Sequence, residues 1–364
     1  MNEIPVISIV PRLPPAIDGV GDYAFNLAQQ LRKDFRIETH FLVCDPTWTG
    51  TTQIQGFPIS QVNVHSADTL LSRLPRDPTA TVLLHYVGYG YAKRGCPVWL
   101  VDGLQRWRNA SIHRTLVTMF HEVYASGPFW TSTFWLSLLQ RNLAVRLVQL
   151  SDRVLTSKQL YAEILYQLGQ GKHNQILTLP VFSNIGEPEQ VPSLAKRNRR
   201  LVVFGGRNSR LRVYKNSITE LSHTCKLLGI EEILDVGPPT CLTLSSVNNV
   251  PIVEKGKLSA IEISDILLHS LVGFFDYPTD FLAKSTIFAA YCAHGLLPVS
   301  ARCTRLPVDG IEPRKHYWIP DARGTGLKNV EEMQLIANNA HAWYQTHSLS
   351  VQAKTFSTNL VKHS

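Results

Sequence analysis

The sequence predicts an α/β protein made of two doubly wound domains, and three observations support this fold class. The chain has 364 residues, which is too long for one ordinary core and suits two α/β domains. Short apolar, β-branched runs alternate with amphipathic helical segments, as in a parallel sheet covered by helices on both faces. The alternation stops once, in a polar segment at 182–200, and then starts again. We therefore expect two Rossmann-like domains in succession.

The first half of the chain contains five predicted strands. They are Pro5–Val10, Thr39–Val43, Thr81–His85, Arg114–Phe120 and Asp152–Thr156. Helices are predicted between them, notably over 19–32, where Tyr23, Leu27 and Leu31 share one face, and over 133–150. A glycine loop at 19–21, His85 and His121 each follow a strand end. In open α/β sheets ligands bind at this edge.

The second half repeats the plan. Its predicted strands are Leu201–Phe204, Glu232–Val236, Pro251–Glu254, Leu271–Phe275 and Leu297–Ser300. Helices are predicted over 216–228, 259–268, 285–294, 329–343 and 350–363. We expect an N-terminal domain over 1–185, a C-terminal domain over 186–345, and a last helix over 346–364 that returns to the first domain.

Composition excludes several classes of protein. The start of the chain lacks a basic and apolar leader, and no apolar run is long enough to cross a bilayer, so a cytoplasmic location is expected. The six cysteines include no CxxC pair, which disfavours a disulfide framework or a zinc site. The net charge of +8 suits a phosphorylated substrate, an anionic membrane surface or an ordinary basic surface. Because no run of five Lys or Arg occurs, a nucleic-acid arm is disfavoured.

The strongest basic segment follows the first strand of the second half. Two glycines, Gly205 and Gly206, end that strand, and four cations follow within nine residues: Arg207, Arg210, Arg212 and Lys215. Arginine grips phosphate oxygens with a two-pronged fork, and lysine adds a compact charge. A diphosphate-binding loop is predicted, against the alternative of a solvated loop.

A second anion site is predicted at the start of the helix over 285–294. Ser285 and Thr286 lie in its first turn and Lys284 precedes them. Free N–H groups at a helix start bind anions, although serine and threonine are also ordinary helix caps. Together with the basic segment, this helix start favours a diphosphate site.

Three features of the first half suggest further contacts. Gly19, Val20 and Gly21 open a helix and fit the dinucleotide motif GxGxxA. Eight loop residues separate them from the preceding strand, which disfavours NAD binding. The remaining interpretations are an anion contact and a plain helix start. His121, before Glu122, could bind a sugar hydroxyl, act as a base or be structural. The aromatic and basic residues over 130–146 favour a buried core helix over one that lies on a membrane or a lipid-linked acceptor.

The ordered set of segments resembles the large GT4-type family of retaining glycosyltransferases with the GT-B fold. In the first half the similar segments are 19–31, TMFHE at 118–122 and SDRVLTS at 151–157. In the second half they are VVFGGR with the following lysine at 202–215, 252–258, and AYCAHGLLPV at 290–299. Residues 85–100 and the helix start at Lys284 are also similar to a cyanobacterial subgroup that includes a heterocyst-envelope polysaccharide transferase.

The resemblance implies two domains that face each other across a cleft, with the donor held by the C-terminal domain. It implies transfer of a hexose from a UDP-sugar, UDP-glucose favoured, to a saccharide or lipid-linked acceptor in polysaccharide synthesis. No metal or other cofactor is implied, and the stereochemistry of the family is retention. Peripheral contact with the inner face of the membrane is an additional expectation.

The resemblance also implies roles for individual residues. His121 would face the transferred sugar, and the 19–21 loop would approach the donor from the other domain. The donor contacts implied in the C-terminal domain are Gly206, Arg207, Arg212, Lys215, Gly237, Val253, Glu254, Lys284, Ser285 and Thr286.

One departure from the family concerns two glutamates. Ala290 stands where the ribose-binding glutamate is expected, and Leu282 stands near the position of the other, for which Asp280 or Asp276 is a substitute. Two alternatives follow: a sugar-nucleotide 2-epimerase on the same fold, and a non-catalytic carbohydrate- or membrane-binding relative.

Overall fold

A computed structural model of the chain divides into two units. The structure describes residues 5–16, 18–124, 132–304, 306–320, 327 and 329–361, without the side chains of 132–135. The first unit comprises Met1–Pro180 and Leu349–Ser364, and the second comprises Val181–Ser348. None of the helices in the described ranges is both long and apolar enough to span a bilayer.

The first unit is an eight-stranded, mostly parallel sheet with helices on both faces. Its strands are β1 (Val6–Val10), β2 (Thr39–Val43), β3 (Gln53–Ile54), β4 (Phe57–Gln61), β5 (Thr81–Tyr86), β6 (Thr115–Phe120), β7 (Arg153–Thr156) and β8 (Leu177–Thr178). Its helices are α1 (Gly19–Phe35), α2 (Ala67–Arg73), α3 (Gly88–Tyr91), α4 (Val98–Asn109), α5 (Ser132–Leu150) and α6 (Gln159–Gly169). The strand order is β3-β4-β2-β1-β5-β6-β7-β8. The central strands are apolar at successive positions because both faces of the sheet are covered.

The second unit is a six-stranded sheet of the same design. Its strands are β9 (Asn198–Phe204), β10 (Glu232–Val236), β11 (Ser246–Val247), β12 (Val250–Gly256), β13 (Ser270–Phe275) and β14 (Leu297–Ser300). Its helices are α7 (Arg207–Asn216), α8 (Ile218–Leu228), α9 (Ala260–His269), α10 (Thr286–Ala293) and α11 (Val330–Gln345). The strand order is β11-β12-β10-β9-β13-β14.

Each sheet reverses its winding once. In the first unit the chain runs outward from β1 through β2, then returns to place β5 on the other side of β1. In the second unit β10 and β13 flank β9 in the same way. At such a reversal the loops after the two neighbouring strands diverge and leave a crevice at their carboxyl ends. We therefore expect ligands to bind at the loops after β1 and β5 in the first unit, and at the loops after β9 and β13 in the second.

The last helix, α12 (Leu349–Leu360), belongs to the first unit, where it packs against α1. The buried Gln352 accepts a hydrogen bond from the Tyr23 hydroxyl at 2.5 Å and donates one to the carbonyl of Pro180 at 2.6 Å. Beyond Pro180 the backbone N–H of Val181 donates to Ala283 at 2.8 Å, within the second unit. The change from one unit to the other thus falls at 180/181, five residues before the predicted boundary.

The basic segment after β9 differs from the prediction. We expected a loop over 207–215 and a helix only from Asn216, whereas the structure has helix α7 over Arg207–Asn216. The segment contains no glycine or proline and is rich in Arg, Leu and Lys, which are good helix formers. Arg207 therefore lies in the first turn and Lys215 in the last, about 12 Å apart along the axis at 1.5 Å per residue.

Gly237, after β10, is held in a conformation that other residues avoid. Its φ is +146°, and a Cβ placed on it would lie 2.2 Å from the Gly205 carbonyl oxygen and 2.8 Å from Arg210 Nε. Gly237→Ala should therefore destabilise the protein by about 3 kcal/mol or more, since strain and overlap add. Urea unfolding measures this change.

Gly186→Ala is the matched control, because Gly186 also has a positive φ (+96°) but a Cβ there meets no atom within 4 Å. It should cost only about 1 kcal/mol. Equal losses for the two variants would show that the close approach at Gly237 is unimportant.

Candidate functional site

Two helix starts lie next to each other at the reversal point of the second unit. Helix α7 begins after β9, and α10 begins after β13, the neighbouring strand. A Cβ on Gly205 would come within 2.5 Å of the Ile287 side chain in the first turn of α10. Both starts therefore point their N–H groups and positive dipole ends at the same crevice.

The start of α7 is open. Its N-cap residue is Gly206, which offers no side chain to the first N–H groups, and the space where a Cβ would stand is empty to 4 Å. Gly205 has a φ of +130°, so the turn before the helix favours glycine. A helix start with free N–H groups is a ready anion site.

The start of α10 is partly occupied. Ser285 caps the helix by accepting a hydrogen bond from the Phe288 N–H at 3.2 Å, so its hydroxyl is used as an ordinary cap. Thr286 is the first helical residue and is half-buried. Lys284 is half-buried beside the Phe281 ring, with Nζ 6.0 Å from the ring centroid. Charge and N–H donors are present here, but fewer are open than at α7.

Arg210 has a structural role. Its side chain is fully buried and forms an ion pair with Asp235 of β10. The same guanidinium donates to the carbonyls of Gly205, at 3.0 Å, and of Pro238. Arg210 therefore ties the loop after β9 to the loop after β10 and is not available to a ligand.

The other cations of the segment differ in exposure. Arg207 is exposed, and its Nη2 lies 3.4 Å from the Thr240 carbonyl. Arg212 is half-buried over the Tyr277 ring, 5.8 Å from its centroid, and within the described part of the chain its Nε has no hydrogen-bond partner. Lys215 is exposed in the last turn. Since α7 is a helix, these three cations spread along it instead of forming one cradle.

The implied nucleobase contacts lie in a strand. Val253 and Glu254 pair with Leu234 and Asp235 inside β12, which extends to Gly256. Because β12 continues to Gly256, these two residues lie before its carboxyl end. Gly237 does lie at that edge, where its N–H donates to the Gly256 carbonyl at 2.9 Å.

The acids considered for the missing family glutamates are placed differently. Asp276 is buried and accepts hydrogen bonds from Ser217 Oγ, at 3.1 Å, and from Arg302 Nε, so it is engaged within the unit. Asp280 is exposed in a short 3₁₀ turn before α10. Ala290 is completely buried in α10. Of the two substitutes, Asp280 is the one accessible to a ligand.

In the first unit the predicted anion contact at Gly19–Gly21 is already satisfied by the protein. Asp18 caps α1, and its carboxylate accepts hydrogen bonds from the N–H groups of Val20 at 3.0 Å and Gly21 at 2.8 Å. Gly21 is required for another reason, because a Cβ there would lie 2.2 Å from the Arg12 carbonyl oxygen. A carboxylate at this helix start disfavours a second anion.

His121 lies at the carboxyl end of β6 and is buried. Its Nε2 is 3.2 Å from Nδ1 of His85, the fifth residue of β5. The Tyr23 ring lies edge-on to both imidazoles, at 5.8 Å from His85 and 5.0 Å from His121. The parallel pairing of β5 with β6 brings these two histidines together, although they are far apart in the sequence.

The aromatic and basic helix predicted over 130–146 corresponds to α5, which begins at Ser132. Trp130 lies outside the described residues. Leu138 and Leu139 are exposed on α5, and Arg146 forms an ion pair with Asp102 at 2.6 Å. Contact with a membrane stays a prediction. Within the described ranges, His, Cys, Asp and Glu side chains do not gather in groups of three or more that could hold a metal ion.

No protein-family model matches the sequence, and no curated protein matches it by sequence. Solved structures match in fold. An α,α-trehalose 6-phosphate synthase from Burkholderia multivorans has 11% identity over 98% of each chain, with a TM-score of 0.59. An α-glucosyltransferase in complex with UDP-glucose and DNA containing an abasic site has 12% identity over 97% of this chain and 98% of that one, with a TM-score of 0.55.

A third match is a putative UDP-N-acetylglucosamine 2-epimerase from Listeria monocytogenes. It has 13% identity over 99% of this chain and 96% of that one, with a TM-score of 0.56. These matches confirm the predicted fold class, an α/β protein with two Rossmann-like domains of the GT-B type.

Arg210 and Arg207, two of the three arginines of α7, should differ in their contribution to stability. Arg210→Met leaves Asp235 buried without its partner and should cost about 3–5 kcal/mol. Arg207→Met removes an exposed cation and should change the free energy of unfolding by no more than about 0.5 kcal/mol. Urea unfolding compares them, and similar values would contradict a structural role for Arg210.

The carboxyl group of Asp22, in the first turn of α1, should make the stability of the protein depend on pH. Burial, and secondarily the charge of Asp18, raise the pKa of its carboxyl from 3.8 to about 6. Between these values the folded state holds a proton that the unfolded state has released, so stability falls as the pH rises through this window. Asp22→Asn should therefore stabilise the protein at pH 7.5, with the gain vanishing below pH 4.

Asp34→Asn, an exposed position near the other end of α1, is the control for this experiment. A gain for Asp22→Asn that is the same at pH 4 and pH 7.5 would contradict the raised pKa.

Proposed function

We propose that this chain is a glycosyltransferase that moves a hexose from a UDP-sugar to a saccharide or lipid-linked acceptor. The observation that carries the proposal is the pair of helix starts at the reversal point of the second unit. The open start at Gly206 and the adjacent start at Thr286 supply N–H donors, while Arg207 and Lys284 supply charge. A diphosphate is the ligand that two neighbouring positive helix ends suit best.

The proposed chemistry follows from this charge. When the sugar leaves the nucleotide, negative charge builds on the departing diphosphate. Helix N-termini and cations fixed around it stabilise that charge in the transition state, which is usually the largest catalytic contribution. We propose that this route needs no bound metal. Arg207, Lys284, Ser285 and Thr286 are proposed to contact the diphosphate at the two helix starts. Arg212 and Lys215 are proposed to reach it from farther along α7.

Two observations bear on the identity of the nucleotide and the sugar. One protein of the same fold was solved with UDP-glucose, and this chain resembles a family that uses nucleoside diphosphate sugars. We therefore propose UDP-glucose as the first donor to test, polysaccharide synthesis in the cytoplasm as the setting, and retention as the stereochemistry. His121 is proposed to face the transferred sugar, and Asp280 is the proposed substitute for a family glutamate.

A 2-epimerase is the second candidate, because a putative UDP-N-acetylglucosamine 2-epimerase shares the fold. Incubation with a UDP-sugar alone separates the two candidates. An epimerase converts the sugar nucleotide to its isomer without an acceptor, whereas a transferase needs an acceptor or releases UDP slowly by hydrolysis. Binding of UDP with neither reaction would favour a non-catalytic relative.

Lys215→Ala and Arg207→Met test the diphosphate site. Each removes one charge-assisted contact and should weaken UDP binding about 10- to 100-fold, as measured by calorimetry. Lys226→Ala, an exposed lysine on α8, is the control and should leave UDP affinity unchanged.

Comparison of UDP affinity in the two variants also shows which part of α7 contacts the phosphates. Loss of affinity in Arg207→Met alone would confine the site to the helix start and remove Lys215 from it. Unchanged affinity in both variants would contradict the site.

A further inference from the structure

The proposed function gives no role to His85, yet its Nδ1 lies within hydrogen-bonding distance of His121 Nε2. The two imidazole rings are stacked, with centroids 5.5 Å apart and planes 24° from parallel. His85 Nδ1 and His121 Nε2 are 3.2 Å apart. The strand pairing holds this geometry, since the His121 N–H donates to the Tyr86 carbonyl at 2.9 Å.

His85 is neutral at physiological pH. It is completely buried, and burial lowers its pKa to about 3. A neutral imidazole carries one N–H and one lone pair, and the hydrogen bond made by one nitrogen determines which nitrogen holds the proton. The bond between the two rings therefore has two forms, and they differ in which ring donates.

The environment of the second His85 nitrogen decides between these forms. Nε2 of His85 is buried and has no hydrogen-bond partner in the described part of the chain. If His121 donated, the His85 proton would have to be on this nitrogen, as a buried N–H without an acceptor. Among backbone groups, orphaned buried N–H donors are rarer than under-satisfied acceptors, and an imidazole N–H without an acceptor carries the same kind of cost. His85 therefore holds its proton on Nδ1 and donates it to His121.

We propose that His85 is a positioning residue that fixes the tautomer of His121 and makes His121 a hydrogen-bond donor instead of a general base. His121 Nε2 accepts from His85, so the proton of His121 is on Nδ1. A group that faces Nδ1 must then present an acceptor, such as the oxygen of a sugar hydroxyl or a phosphate. This inference rests on the proposed function only in placing His121 at the transferred sugar.

The surrounding residues keep the pair in this arrangement. The Tyr23 ring packs against both imidazoles, and its hydroxyl is held by Gln352 of α12 at 2.5 Å. Gln352 is itself fixed by its bond to the Pro180 carbonyl. Because Tyr23 and Gln352 are also buried, there is little room for either imidazole to turn over and exchange its nitrogens.

Nitrogen-15 NMR of the full chain, labelled at histidine and recorded at pH 8, tests the proposal directly. Long-range proton–nitrogen correlations distinguish the two neutral tautomers, and His85→Asn and His121→Asn assign the signals. Both His85 and His121 should show the Nδ1–H form. Nε2–H forms for both rings would overturn the proposal.

The chain contains internal references for both tautomers. His65 Nε2 lies 2.7 Å from the Cys44 carbonyl, so His65 must carry its proton on Nε2. His341 Nδ1 lies 2.9 Å from the Cys292 carbonyl, so His341 must carry it on Nδ1. If the signals of His65 and His341 show these tautomers, the same measurement assigns the tautomers of His85 and His121 reliably.

A pair of variants separates positioning from packing. In His85→Asn a carboxamide N–H can still donate to His121, whereas His85→Phe keeps an aromatic ring but no donor. His121 should stay in the Nδ1–H form in His85→Asn and lose it in His85→Phe. With a UDP-sugar and acceptor, kcat should stay within about 3-fold in the first variant and fall about 10-fold in the second.

Equal effects of the two variants on the His121 tautomer would overturn the proposal. A wild-type protein with the Nδ1–H tautomers but no transfer activity would contradict the proposed function and leave this inference standing.

Discussion

The buried ion pair between Arg210 and Asp235 determines the shape of the candidate donor site. Two charges removed from water recover part of their lost hydration by pairing closely and by making further hydrogen bonds. Arg210 makes such bonds by donating to the carbonyls of Gly205 and Pro238. The pair therefore fixes the start of α7 against the neighbouring loop, and Gly237 must be glycine because the guanidinium and the Gly205 carbonyl occupy the space beside it.

The two units share the strand order of six strands but differ in electrostatics. In each, a helix begins after the first strand of the sheet, next to the point where the winding reverses. In the first unit the carboxylate of Asp18 occupies the N–H groups of that helix start, and Asp22 adds a second acid. In the second unit Gly206 leaves the start open. The fold thus provides two equivalent positions, and the side chain before the helix decides which one suits an anion.

Much of the fold could be predicted from sequence, because apolar β-branched runs identify buried parallel strands without knowledge of their partners. The site could be predicted only in part. Nothing in the order of residues distinguishes Arg210, which is buried against Asp235, from Arg207, which is exposed, since the difference arises from a strand 25 residues farther along. The pairing of His85 with His121 likewise depends on the register of two strands whose histidines are 36 residues apart.

The return of α12 to the first unit affects the order in which the protein is completed during synthesis. Tyr23 and Gln352 are 329 residues apart in sequence, and the whole second unit is made between them. Domains generally fold as units while the ribosome adds residues to the chain. The first unit emerges first, yet its α1 surface stays uncovered until the last segment appears. The earlier unit therefore receives α12 only after the second unit has been synthesised, and the face of α1 that packs against α12 stays exposed until then.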